Sequence, residues 1–454
     1  MTIVDQQRGH ATPGVLAVAD HQVLQRLRGG DHATLTFERP ADPGEVRVTD
    51  EQGRAVATTG TGTGADGVAT LTLDIPVGGP YDISSGDGAV LARDVLVGDL
   101  WVLAGQSNMA GTARMVDLEP PSPVVHLLDM ARQWQPAVEP LHRLSISPDP
   151  VHRGVTEEEQ ALLRAYDDAR LLGAGLGLAF GAAYHRVTGV PVGLVATAHG
   201  GSSLAQWSPS LAAHRGESMY GSFLLSLEAC GGRVAGVLWY QGESETSPDT
   251  AFTFTDDLTG LVSAMRRDEG DAALPFHHVQ LGRYVADLES RDDVRWSQVR
   301  EAQRVFPADG MASAIDLDLD DLIHISTASL RRLGRRLARL ASGEAETLRL
   351  RDIAVDPDGL ALTVGYEGVS GRLSPEGHVA GYSLHDAHGS RRAAVVHAAV
   401  RADGCSVRIL LSRPVAADDH LAYAFGLDPL VALRDEADMS APAFGPLPLA
   451  GLRG

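Results

Sequence analysis

The stretch VGDLWVLAGQSNMAG, residues 97–111, decides the fold. Val97 to Ala104 is apolar apart from Gly98 and Asp99, and Gly105 ends the run just where a helix could begin. A run of this length, bounded in this way, reads as a strand buried on both faces. Four further segments have the same texture: VPVGLVATAHGG (190–201), VAGVLWYQGE (234–243), LPFHHVQLG (274–282) and GMASAIDLDL (310–319). Stretches of helix length separate them. Strand–helix alternation of this kind implies a parallel sheet with helices on both faces.

The intervening helices have legible ends. Thr156 followed by Glu159 is a capping box that opens a helix through Arg170. Gly189 with Pro191 closes the next. Leu171 to Tyr184, uncharged and dense in glycine, reads as a buried helix, shorter than the roughly 18 residues a membrane span needs. After His324, Leu330, Leu333, Leu337 and Leu340 form one apolar stripe. Arg331, Arg332, Arg335, Arg336 and Arg339 cover the rest of that helix and read as a solvated face.

Outward from this core the texture changes. HATLTFERP (32–40), GEVRVTDEQGR (44–54) and GVATLTLDIPVGGPYDI (67–83) alternate with period two between Gly, Pro and Asp turns. TLRLRDIAVDPDGLALTVGY (347–366) and CSVRILLSRPV (405–415) do the same near the other end. The expected organisation is an N-terminal β-domain over 1–97, an α/β catalytic domain over 98–345 and a C-terminal β-domain over 346–454. Both flanks are expected to be β-sandwich-like, and no internal repeat is visible.

The 454 residues carry 38 basic and 59 acidic side chains, a net charge of -21 that argues against nucleic acid and anionic membranes as partners. There is no lysine, so every basic chain is an arginine. The first residues, MTIVDQQRGH, lack the basic start and apolar run of a secretory signal, and a cytoplasmic protein is expected. Cys230 and Cys405 are far apart and read as buried thiols, not as a disulfide or metal ligands. His277 and His278 lie within one strand and point to opposite faces, which argues against a shared metal.

Ligands of an open parallel sheet bind at the carboxyl ends of its strands. The residues there are Gly105-Gln106-Ser107-Asn108-Met109, His199-Gly200-Gly201-Ser202-Ser203, Gln241-Gly242-Glu243-Ser244-Glu245, and the run from Asp318 to His324. Four polar clusters with glycine spacers at one edge supply what a nucleophile, an oxyanion hole and a general base require. Asp321 and His324, three apart on a tight loop, could turn to one point, with Asp320 and Asp318 as alternative partners for the imidazole. Trp207, just past the Gly-Gly loop, is either a core residue or a stacking wall for a sugar. His142 is an isolated histidine that reads as structural.

GDLWVLAGQSNMAG (98–111), GLVATAHGGSSLAQW (193–207), GVLWYQGESE (236–245) and the Asp-x-x-His element at 321–324 resemble successive blocks of the SGNH-hydrolase superfamily, and more closely its sialate O-acetylesterase-like carbohydrate esterases. VADHQVLQR (18–26), WSQVREAQ (296–303) and LAYAFGLDPLVALRDEADMSAPAFGP (421–446) extend the likeness over most of the chain. The family's usual Pro after the histidine and Lys beyond it are replaced here by Ile325 and Ser326.

The resemblance implies a flavodoxin-like, three-layer catalytic domain with Ser107 as nucleophile, His324 as general base and Asp321 as its orienter. It implies an oxyanion hole from the backbone N–H of Ser107, the N–H of Gly201 and the side-chain amide of Gln241. Glu243 is expected to pin its loop, with support of the histidine or a contact to substrate as alternatives. No metal or organic cofactor is implied, and the expected partner is a small acetylated carbohydrate. Acetylated sialic acid, acetylated xylo-oligosaccharides and short-chain esters are the candidate substrates. A sugar-binding protein with a vestigial site is the non-enzymatic alternative. A sialate carboxylate would want a convergent arginine, for which Arg114 and Arg283, after strand ends, are two candidates among many.

Overall fold

The computed structural model describes residues 18–40, 45–58, 68–153, 156–169, 171–285, 292–375, 377–386 and 388–452. The central strands are β1 (Val90–Gly105), β2 (Val125–Leu128), β3 (Val192–Ala196), β4 (Gly236–Tyr240), β5 (Phe276–Gln280) and β6 (Gly310–Ser313). They lie side by side in the order β2-β3-β1-β4-β5-β6, all parallel. Trp134–Pro136 adds an antiparallel strand outside β2, so the sheet as a whole is mixed. All five strands expected from the sequence are present, and β2 is one it did not mark.

The helices are α1 (Ser107–Ala110), α2 (Glu157–Ala169), α3 (Gly177–Thr188), α4 (Met219–Ala229), α5 (Phe254–Glu269), α6 (Asp293–Val305) and α7 (Thr327–Ser342). Parallel crossovers are right-handed. The chain steps from β1 to β3 in one direction and from β4 through β6 in the other, which sends α3 to one face and α5 and α6 to the opposite one. Strand order reverses at β1, so the carboxyl ends of β3, β1 and β4 frame a crevice.

Local signals account for several ends. Thr156 N–H donates to Glu159 Oε2 at 2.9 Å and Glu159 N–H to Thr156 Oγ1 at 3.1 Å, a reciprocal cap at the start of α2. Gly189, with φ 72°, closes α3. The stretch 171–184 is not one helix: Leu172–Ala174 pairs as a strand with Ala113–Arg114 before α3 begins at Gly177. Within α7 the four leucines are buried as expected. Its arginine face, expected to be solvated, is ion-paired instead. Arg331 and Arg335 meet Glu119, Arg332 meets Asp438, and the fully buried Arg336 meets Asp316. The acids come from distant segments, which a helical pattern cannot show.

β1 is sixteen residues long and belongs to two assemblies. Its first half pairs with Val23–Gln25 and Gly78–Ser85, and its second half with β3 and β4. Val95 and Val97 enter a small core with Val48, Leu73 and Ile83, while Leu96 points to the large core of the central sheet. Alternate residues of a pleated strand face opposite ways, so one strand closes both. The expected boundary at 97/98 therefore falls inside a continuous strand.

Beyond α7 the chain forms two antiparallel four-stranded sheets. One orders Arg349–Val355, Ala361–Glu367, Ser406–Leu411 and Val395–Val400; the other Arg391–Arg392, Tyr382–His385, His420–Tyr423 and Phe444–Pro448. Their apolar residues join the large core. Gln280, at the end of β5, exchanges hydrogen bonds with the backbone of Ala443, and the buried Arg300 donates to Gly426 and Leu427 carbonyls. Cys230 is buried and Cys405 only half-buried, both unpaired. Among the described residues no helix is long and apolar enough to cross a membrane.

Candidate active site

Gly105 ends β1 with φ 127°, and a Cβ there would sit 2.1 Å from the Tyr240 carbonyl oxygen, so only glycine permits the approach of β4. Gln106 is extended and donates its N–H to Tyr240 O at 2.9 Å. Ser107 then opens α1, half-buried between the buried Gln106 and Asn108. A sharp strand-to-helix turn of this kind lifts the serine above the sheet edge.

Asn108 connects this turn to two other blocks. Its Nδ2 donates to Glu243 Oε1 at 2.9 Å and to Ile323 O at 3.3 Å, and its Oδ1 accepts from Ile325 N–H at 3.0 Å. The residue after Ser107 thus grips the chain on both sides of His324. The loop after β3 lies against the serine, because a Cβ at Gly200 would stand 3.7 Å from Ser107 Cβ. Gly201 takes φ 71° with open space around it, so its glycine serves the backbone conformation. Among the described residues, the backbone N–H groups of Ser107 and Gly201 have no intramolecular acceptor.

The loop from Asp318 to Ser326 is closed on itself. Asp320 N–H donates to His324 O at 2.8 Å and Ser326 N–H to Asp318 O at 2.9 Å. Within it, Asp321 Oδ2 stands 2.7 Å from His324 Nδ1, and Asp321 Oδ1 accepts from the N–H groups of Ile323 and His324 at 2.9 and 2.8 Å. Partial burial works against ionisation of Asp321; those two N–H groups and the imidazole outweigh it and hold its pKa below the usual range. An ionised Asp321 places the imidazole proton on Nδ1 and leaves Nε2 with a lone pair. Of the alternatives, Asp320 spends Oδ2 on Arg114 N–H at 2.9 Å, so Asp321 is the carboxylate that faces the ring.

Glu243 is brought to the same place. Burial raises its pKa, opposed by the Asn108 amide and the nearby His324, and its Oε2 has no hydrogen-bond partner among the described residues. It receives the Asn108 side chain, where a contact to backbone had been expected.

One expectation, the oxyanion-hole role of Gln241, needs correction, and one open alternative is decided. Gln241 is fully buried, and its Nε2 donates to Ser202 O at 3.3 Å and Glu245 Oε1 at 3.0 Å. Both amide hydrogens are spent holding the β3 and β4 loops together, so none is presented to a substrate oxygen. Trp207 is fully buried as well, donating Nε1–H to Ser202 Oγ at 2.9 Å and packing edge-on against Trp239 at 5.3 Å. Of the two readings left open for Trp207, the core one holds. His142 is buried, and burial lowers its pKa to about 4. His277 and His278 part as expected, one beside Trp101 and the other on Gln303 O at 2.9 Å.

The sequence reading missed a polar chain behind the glycine loop. Arg132 pairs with Asp149 at 2.7 Å, Ser222 Oγ donates to Asp149 at 2.5 Å, His152 Nε2 meets Ser222 Oγ at 3.0 Å, and His152 Nδ1 meets His199 Nδ1 at 2.9 Å. Because the Ser222 proton goes to Asp149, His152 donates from Nε2 and accepts at Nδ1. His199 therefore carries its proton on Nδ1, just ahead of Gly200. Burial and the neighbouring His199 drop the His152 pKa to about 3, which keeps that relay neutral. Only spatial proximity links these residues, and of them His199 alone, like Asn108 at the serine turn, lay within a quoted motif.

Residues 97–342 match the family model described as carbohydrate esterase, sialic acid-specific acetylesterase. A protein of Arabidopsis thaliana named "Probable carbohydrate esterase" is 27% identical over 269 residues, 53% of this chain and 88% of that protein. The sialate O-acetylesterase of Pongo abelii is 26% identical over 294 residues, and the match spans 53% of each chain, about half of that relative's length. A carbohydrate acetylesterase from Xanthomonas citri shares the fold, with a TM-score of 0.64 at 23% identity over 95% of this chain and 98% of that one. The chain is an esterase and belongs to the carbohydrate esterase family of sialic acid-specific acetylesterases.

Proposed function

We propose that this chain is a serine esterase that removes O-acetyl groups from a carbohydrate through an acetyl-enzyme on Ser107. The observation that carries the reading is the 2.7 Å contact of Asp321 with His324, on a loop that Asn108, the neighbour of Ser107, holds from both sides. His324 takes the Ser107 proton at Nε2 while the serine oxygen attacks the acetyl carbonyl. Asp321 keeps the ring in the required tautomer and stabilises the imidazolium. The developing oxyanion is met by the free N–H groups of Ser107 and Gly201, each worth on the order of 3 kcal/mol when prearranged. The sugar hydroxyl leaves with the proton from His324, and water repeats the two steps to release acetate.

In this reading the region from β1 to α7 does the chemistry, and the β-rich segments on either side, the first of them sharing β1, support it. For the sugar, an acidic one is supported by Arg114, exposed beside the Asp318–Ser326 loop. Arg283 is engaged by Asp428 at 2.7 Å and is set aside for that purpose.

The test is acetate release from O-acetylated sialic acid, acetylated xylo-oligosaccharides and a simple aryl acetate, with the Ser107→Ala variant alongside. Release that the variant lacks supports the mechanism, and the preferred member identifies the sugar. A folded parent protein that releases acetate from none of them overturns it.

A further inference from the structure

At the opposite edge of the sheet from Ser107, three side chains from separate parts of the chain converge. His21 lies just ahead of Val23–Gln25, Asp94 near the start of β1, and His126 on β2. One potential ligand atom from each lies within 4.8 Å of the others. His126 is buried, and its Nδ1 stands 2.7 Å from the His21 carbonyl, so Nδ1 carries the proton and Nε2 a lone pair. That lone pair faces Asp94 Oδ2 at 3.8 Å, too far for a shared proton. His21 Nδ1 approaches the same oxygen at 2.7 Å. His21 and Asp94 also hold φ of 61° and 57°, left-handed conformations that non-glycine residues adopt only where their surroundings enforce them.

The His21–Asp94 hydrogen bond explains two of the three groups. It leaves the lone pair of a buried imidazole aimed at a half-buried carboxylate, a repulsion that a cation between them removes. A tetrahedral ion with bonds of about 2.0–2.1 Å sets its ligand atoms about 3.3 Å apart. The 3.8 Å gap would close and the 2.7 Å contact open by about 0.5 Å each. His126 already has the arrangement of a metal-binding histidine, its far nitrogen donating to a backbone carbonyl. Burial lowers its pKa, which keeps it neutral and ready to ligate.

We propose that His21, Asp94 and His126 bind one divalent transition-metal ion, with water completing the shell. Two imidazoles and a carboxylate suit zinc. The ion clamps the segment ahead of Val23 onto β1 and β2. It takes no part in ester hydrolysis, since the strand from Asp94 to Gly105 spans roughly 35 Å.

The test uses the full chain, stripped with a chelator and titrated with zinc by calorimetry, with cobalt(II) as a spectroscopic substitute. The wild type should bind one ion, give the visible bands of four-coordinate cobalt and unfold at a higher temperature with zinc. His21→Asn and Asp94→Asn are the informative variants, because asparagine tolerates positive φ. Each should weaken zinc at least tenfold while hydrolysing an aryl acetate at the wild-type rate, which reports an intact fold. Less than one ion per wild-type chain, cobalt without those bands, or wild-type affinity in either variant overturns the proposal.

Discussion

Asp316 and Asp321 stand five residues apart after β6, and each meets a nitrogen at 2.7 Å, Asp316 on Arg336 and Asp321 on His324. Their surroundings are opposite. The Arg336 and Asp316 side chains are 0% and 3% exposed, those of His324 and Asp321 26% and 55%. Burial works against ionisation of Asp316, yet the Arg336 guanidinium and the nearby Arg332 hold its pKa below the usual range. A permanent cation locked in the interior fixes structure. A titratable ring at the rim can exchange protons with what arrives. The lesson is that contact length says little about role; partner type and exposure decide it.

Replacing His324 with alanine should separate the two most sharply. Acetate release is expected to fall about 10⁴-fold, roughly 5.5 kcal/mol of barrier, with the thermal midpoint almost unchanged. A matching loss of stability would erase the contrast. The reciprocal change, Asp316→Ala, leaves the buried Arg336 with only the more distant Asp438 carboxylate, at 3.4 Å, and should cost about 3 kcal/mol in denaturant unfolding. Turnover per folded molecule should stay within about twofold.

Among the described residues a third carboxyl has no cation beside it. Glu139 is buried, accepts N–H groups from Leu141 and Gly175 at 3.1 Å each, and burial raises its pKa to about 7. A raised folded-state pKa means stability fully present below about pH 4.5 and lost as pH rises through 7, on the order of 3 kcal/mol. Denaturant unfolding at pH 5 and pH 8 measures the slope, and Glu139→Gln should flatten it. The smallest effect belongs to the exposed cap: Thr156→Ala should cost about 1 kcal/mol and speed amide exchange in the first turn of α2. An unchanged exchange rate there would mean that packing, not the cap, holds that end.

What was legible in the sequence follows the same division. The five parallel strands and the Ser107, Gly201 and His324 blocks are local patterns, carried by apolar runs, glycine spacers and a three-residue spacing. Apart from β2, a local apolar run left unmarked, the failures are non-local. Arg336 reads as a surface residue until Asp316 and Asp438 are brought beside it. Gln241 and Trp207 look available until Ser202 and Glu245 consume their donors. The Arg132–Asp149–Ser222–His152–His199 chain has no spacing to betray it, since its members meet only when β3 and α4 pack.

The continuity of β1 has a consequence for anyone who would take this chain apart. A gene cut at the change of texture near residue 97 would sever a strand in mid-ladder. The fragment that kept Ser107 would lose Leu96 from its own core, and the other would carry Leu96 with no core to bury it. Neither piece could be grafted elsewhere as a finished module. Any workable splice has to leave Val90 to Gly105 whole, so the N-terminal β-region is inherited with the esterase or not at all.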